Sequence, residues 1–245
     1  TLWLSQIFYS ITDLIHAARD PVFAQGMTLG EYSLTTLLPK VIMLFGIAAI
    51  CIPLAGRTER MLVKEAEESA DRERLSTELD IATQIQADML PSIFPYLPER
   101  EEFDIYASMT PAKEVGGDFY DFYMVDDNHL ALVMADVSGK GVPAALFMVI
   151  SKTLIKNAGQ QGMTPKEILE SVNDTLMENN TSEMFVTVWV GILDINTGVM
   201  TCSNAGHEFP AIRRKGGQFE LFQDTHGMVL GAMDGIPYKE YEIQL

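Results

Sequence analysis

Asp118 and Asp136 each stand in a phrase suited to holding a cation. Asp118 closes Gly116-Gly117-Asp118 and leads into Phe119-Tyr120-Asp121, while Asp136 follows the apolar run 130–135 and opens Asp136-Val137-Ser138-Gly139-Lys140-Gly141. Hard divalent cations such as Mg²⁺ and Mn²⁺ take carboxylate oxygens and water rather than thiols or imidazoles. Gly116 and Gly117 let backbone approach a ligand closely. An aspartate ending an apolar run is costly unless it is paired or metal-bound. A glycine-rich turn into a helix also suits an anion near the helix start. Taken singly, Gly-Gly-Asp reads most simply as a turn, and Asp-Val-Ser-Gly-Lys-Gly reads equally as a turn or a phosphate loop. In register across one hairpin, the two phrases are far more specific.

The surrounding pattern supplies that hairpin. Residues 121–125 and 130–136 read as strands on either side of the turn Asp126-Asp127-Asn128. Residues 142–159 have helical character, opened by Pro143 and closed by Gly159. Thr164-Pro165-Lys166-Glu167 is a capping-box pattern before the apolar positions Ile168, Leu169, Val172 and Leu176. A second hairpin is expected around Asn196-Thr197-Gly198, a third around Gly216-Gly217, and a last strand near 238–245. Phe185 and Trp189 are expected in the sheet core, and residues 103–112 are expected to form a strand. Strands with two consecutive helices between them indicate an α+β domain on antiparallel sheet.

Upstream, residues 34–55 are the most apolar stretch, about long enough to cross a bilayer. Arg57, Arg60 and Lys64 follow as a cytoplasmic flank would. A buried helix of a soluble protein is the competing reading. Residues 58–90 contain neither Gly nor Pro and read as one polar helix. Leu75, Leu79, Ala82, Gln86 and Met89 form a short heptad seam, open either to a homodimer or to a solvated helix with one docking stripe. Pro91, Pro95 and Pro98 end the helix. The expected organisation is therefore an extracytoplasmic or membrane-associated segment 1–33, a transmembrane helix 34–56, a helical signalling linker 57–91 and a folded domain 92–245.

The formal net charge of −17 argues against a nucleic-acid binder, and 47% hydrophobic residues support a substantial core. Cys51 and Cys202 have no metal-site spacing and read as inert thiols of a reducing compartment.

Five phrases in order carry a resemblance to a known family: residues 78–91 (ELDIATQIQADMLP), 111–122 (PAKEVGGDFYDF), 135–148 (ADVSGKGVPAALFM), 203–212 (SNAGHEFPAI) and 227–231 (GMVLG). Over about residues 75–245 the chain resembles the bacterial SpoIIE/RsbU family of PPM (PP2C-like) serine/threonine phosphatases. The Gly-Gly-Asp-Phe run differs from the GGDEF signature of cyclases, which has an acidic residue where Phe119 stands. The resemblance implies a PP2C-like αββα sandwich and two Mn²⁺ or Mg²⁺ ions. It also implies a phosphorylated STAS-type partner protein, the antagonist of an anti-sigma factor, as substrate. Asp118 then matches a metal ligand and Asp136 the bridging aspartate. The Val137 backbone carbonyl becomes a candidate ligand, and Gly139 lies in the loop beside the metals. Asp121 is a candidate support for that set. His207 matches a family motif and is expected to tether its loop rather than to donate a proton.

The family also has metal-binding aspartates in a later phrase like GDxLxLYTDGVTEA. Asp224 and Asp234 stand in other phrases, and the chain stops at Leu245 where that strand is expected. The sandwich is therefore expected to be incomplete. The chain is expected to be a fragment of a complete membrane-bound enzyme with a cytoplasmic catalytic domain. The alternative is a pseudophosphatase, a scaffold that binds a phosphoprotein without hydrolysing it.

Overall fold

The structure is a computed structural model and describes residues 34–111, 114–178 and 180–245. The reading of residues 1–33 lies outside them. Contacts divide the chain into two units, Thr1–Arg74 and Leu75–Leu245.

A single helix, α1 (Leu34–Asp88), runs without a break through the boundary expected near residue 56. Pro53 and Gly56 stand close to that boundary, yet the helix continues through both. In the first unit its apolar side chains are exposed, among them Ile42, Phe45, Ile50, Ile52 and Leu54. Among the described residues this is one helix long and apolar enough to cross a membrane.

In the second unit, β1 (Phe119–Met124) and β2 (His129–Val137) form the expected hairpin. Two helices follow, α2 (Val142–Gln160) and α3 (Pro165–Met177). Then come β3 (Val186–Asp194), β4 (Val199–Ala205), β5 (Ala211–Arg213), β6 (Phe219–Leu221) and β7 (Glu240–Gln244). The main sheet has the order β1-β2-β3-β4-β7, antiparallel throughout, and β5-β6 is a separate ribbon. The α3 capping box is complete, with the Glu167 N–H donating to Thr164 Oγ1 and the Thr164 N–H donating to Glu167.

Strand alternation sorts the two faces of the sheet. Val133, Ala135 and Val137 of β2 pair in register with Val190, Val188 and Val186 of β3. These six join Ala144, Met148 and Ile155 of α2 and Ile168, Leu169 and Val172 of α3 in the main core. The other face carries Trp189, Met200, Cys202 and Ile243, packed with Ile212 of β5 and Phe222 just beyond β6.

Two expectations change. Residues 103–111 are not a strand. Their burial still alternates, with Ile105, Ala107 and Met109 turned to the core, yet no neighbouring strand provides a ladder. Phe185 is not core, since it is 41% exposed just before β3, whereas Trp189 is buried as expected.

Candidate metal centre

The β1–β2 register is what brings the two aspartates together. Phe119 pairs with Ala135 and Tyr120 with Met134. Continuing that register outward by one place sets Asp118 opposite Asp136, and by two places Gly117 opposite Val137. A Cβ built on Gly117 would stand 3.0 Å from both the Val137 Cβ and the Val137 carbonyl oxygen, and 3.3 Å from the Ala144 Cβ. A side chain there would crowd Val137 and Ala144, so glycine eases the close approach of the two strands that carry the aspartates.

Asp118 and Asp136 line a cavity of about 220 Å³ together with Gly116, Gly117, Val137, Gly139 and Lys140. Asp136 is exposed at this wall, although the apolar run before it suggested a buried position. It falls on the same face of β2 as Met134, which is also exposed, while Ala135 and Val137 turn inward. Partial desolvation raises the Asp136 carboxyl to about 6, reinforced by the hydrogen bond and the negative charge of Asp118 and opposed by Lys140. Two like charges within hydrogen-bond reach repel, and a cation between them would remove that repulsion.

The loop after Asp136 is shaped by Gly139 and Gly141, both at positive φ. Ser138 ties it to β3, its N–H donating to the Phe185 carbonyl at 2.8 Å and its Oγ accepting from the Phe185 N–H at 3.0 Å. No side chain caps the N-terminus of α2, which leaves its first-turn N–H groups beside the cavity loop.

The other expected residues divide. Asp121 is buried on the helix-facing side of β1, paired with Lys152 of α2 and 3.9 Å from Lys156, and it does not line the cavity. His207 is held as a tether: its Nδ1 lies 2.9 Å from Thr187 Oγ1, and its N–H donates to Asn204 Oδ1 at 2.7 Å. Burial lowers the His207 pKa, although the nearby charges of Glu208 and Asp118 act the other way. Cys202 is a buried free thiol pushed up to about 12 by burial, and Cys51 is free and exposed.

Sequence reasoning missed the part played by Gln86. It placed Gln86 on the heptad seam, but the side chain is buried against Gly116 of the cavity loop. A polar residue interrupting an otherwise apolar seam was the available signal.

Among the described residues, no group of three or more His, Cys, Asp or Glu side chains converges as a metal site. The donor chemistry nonetheless suits a hard cation, with two carboxylates facing each other at a cavity wall and the Val137 carbonyl behind Gly117.

The chain matches the family model described as Stage II sporulation protein E (SpoIIE) over residues 126–245. It is 30% identical over 176 residues to the phosphoserine phosphatase RsbU of Bacillus subtilis, covering 71% of this chain and 51% of RsbU. It is 29% identical over 184 residues to protein IcfG of a Synechocystis strain, covering 64% of this chain and 28% of IcfG. The chain thus spans about half the length of RsbU and less of IcfG. Its fold is similar to the SiaA-PP2C domain of Pseudomonas aeruginosa, with a TM-score of 0.59 at 21% identity, covering 72% of this chain and 69% of that one.

Proposed function

Because the chain belongs, through residues 126–245, to the SpoIIE/RsbU-type PPM phosphatases, we propose that it is the membrane-tethered part of a metal-dependent protein serine/threonine phosphatase. Its proposed substrate is the phosphorylated form of a small STAS-type protein in a bacterial partner-switching system. The observation that carries this reading is the Asp118–Asp136 pair, set face to face by the β1–β2 register at the wall of one cavity.

Asp118, Asp136 and the Val137 carbonyl would hold the cations, of the Mn²⁺ or Mg²⁺ class. When bound, such ions supply a water activated at neutral pH and neutralise charge on the phosphoryl oxygens. The chain's own residues do the rest. Gly117 eases the close approach of the two strands that carry the carboxylates. Lys140 adds positive charge at the cavity wall, where a phosphate would enter. Ser138 and Thr187 fix the loop and the His207 turn on either side of Asp136. Neither cysteine lines this cavity, and Cys202 is buried with its thiol raised by burial.

The exposed apolar part of α1, followed by Arg57, Arg60 and Lys64, supports a membrane anchor with the domain on the cytoplasmic side. The stretch of α1 before the domain would carry input from that anchor. A homodimer through the seam would have to form on residues before Gln86, because Gln86 is occupied within its own chain.

A scaffold that binds phosphoprotein without turnover is the competing reading, favoured by a donor set of only two facing carboxylates among the described residues. The two are separated by Mn²⁺-dependent phosphate release from a phosphoserine STAS-type protein. The full-length protein should turn over, and Asp136→Asn should lose about a thousandfold. Binding of the phosphoprotein without turnover supports the scaffold.

A further inference from the structure

The last turns of α1 reach the cavity loop through hydrogen bonds. Gln86 is 4% exposed. Its Nε2 donates to the Gly116 carbonyl at 2.7 Å, and its Oε1 accepts from the Gly116 N–H at 3.0 Å. One side-chain amide thus satisfies both backbone groups of one residue, as a neighbouring strand would. One turn earlier, Thr83 Oγ1 donates to the Glu114 carbonyl. Gly116 itself lines the cation cavity, beside Gly117 and Asp118.

Packing alone does not fix this joint. A second cavity, of about 270 Å³, lies against Thr83, Gln86, Leu90 and Tyr120, and shares Met109 and Pro111 with the cation cavity. With open volume on that side, the hydrogen bonds set where the loop stands relative to the helix. A buried glutamine is costly unless both ends are paired, and here both are. Leucine would suit a heptad seam better, but it would leave the Gly116 N–H and carbonyl without these partners.

We propose that Gln86 is a positioning residue: it couples α1 to the stance of Asp118 and so sets the affinity of the Asp118–Asp136 site for a divalent cation. This rests on the reading of that pair as a cation site. Movement of α1 about its axis would pull Gly116 and shift Asp118 relative to Asp136. The helix that leaves the apolar segment then acts on the chemistry through the Gln86 amide, with Thr83 holding Glu114 of the same loop.

The test is a calorimetric titration of Mn²⁺ into the metal-free, full-length protein, with thermal unfolding of each variant as the fold control. Gln86→Leu should bind Mn²⁺ about 10- to 100-fold more weakly, as expected when a partner supporting a ligand is removed. Gln86→Glu keeps an acceptor for the Gly116 N–H but, ionised, has no donor for the carbonyl, so it should fall in between. Gln84→Leu, on the exposed side of the same turn where Gln84 bonds Asp88, should bind like the wild type. Wild-type affinity in a folded Gln86→Leu overturns the proposal. Should that variant not fold, wild-type affinity in Gln86→Glu overturns it instead. A wild type that binds no Mn²⁺, or an Asp136→Asn that binds as well as wild type, overturns the cation reading and this proposal together. That pattern is distinct from loss in Asp136→Asn with none in Gln86→Leu.

Discussion

Asp136 is held against its own electrostatics. Desolvation and the Asp118 carboxylate raise it to about 6 from an ordinary 3.8. A carboxyl raised in the folded state favours folding below its unfolded value, and that contribution is lost as pH rises through the folded value. Without a cation, the pair therefore weakens the fold at neutral pH. Asp136→Asn should raise the melting temperature of the metal-free protein at pH 7.5, and the gain should vanish near pH 4. Because Asp136 is exposed, solvent screening reduces the gain to roughly 1 kcal/mol. Equal gains at both pH values would contradict this assignment. Lys152 makes the opposite case. It is buried with Asp121, and removing it leaves a buried carboxylate with the Phe122 N–H at 3.0 Å and the Lys156 ammonium at 3.9 Å. Lys152→Met should cost about 3 kcal/mol in chemical denaturation. A cost under about 1 kcal/mol would show that Lys156 takes over as partner.

The elements that carry the site were largely readable in the amino-acid pattern. The Asp126-Asp127-Asn128 turn, the Thr164 capping box and the two later hairpins rest on local chemistry, and local chemistry is what a short window of residues records. Asp118 and Asp136 could be paired in advance because one hairpin sets their register. Three features depended on longer-range contacts. Residues 103–111 alternate like a strand but find no ladder partner. Asp121 belongs to the same phrase as Asp118, yet strand alternation turns it toward α2 and Lys152. Gln86 fits a heptad, yet its partner is 30 residues away in sequence. α1 was expected as two functional segments and is one continuous helix. One inserted residue after Ser69 would rotate its two ends relative to each other by about 100°. On the proposed reading, this should abolish the response of the proposed phosphatase activity to the proposed membrane-side input while leaving the domain folded. An unchanged response would exclude transmission through helix rotation.

On the scale of the whole molecule, an acidic chain of net charge −17 carries, among the described residues, an exposed apolar helix segment ahead of an α+β domain in sequence. An acidic protein gains little from anionic lipid headgroups, so any membrane attachment must be hydrophobic. The full-length protein should sediment with membranes and stay there in 1 M salt, where the Debye length is about 3 Å, leaving only on addition of detergent. Release by salt alone would return residues 34–55 to the soluble reading. The most direct test of the central claim, that Asp118 and Asp136 form a catalytic cation site, is Mn²⁺-dependent phosphate release from a phosphoserine STAS-type protein, comparing the full-length wild type with Asp136→Asn. Turnover that requires Mn²⁺ and falls about a thousandfold in the variant is the predicted result. Turnover untouched by Asp136→Asn, or none in the Mn²⁺-loaded wild type, would contradict it.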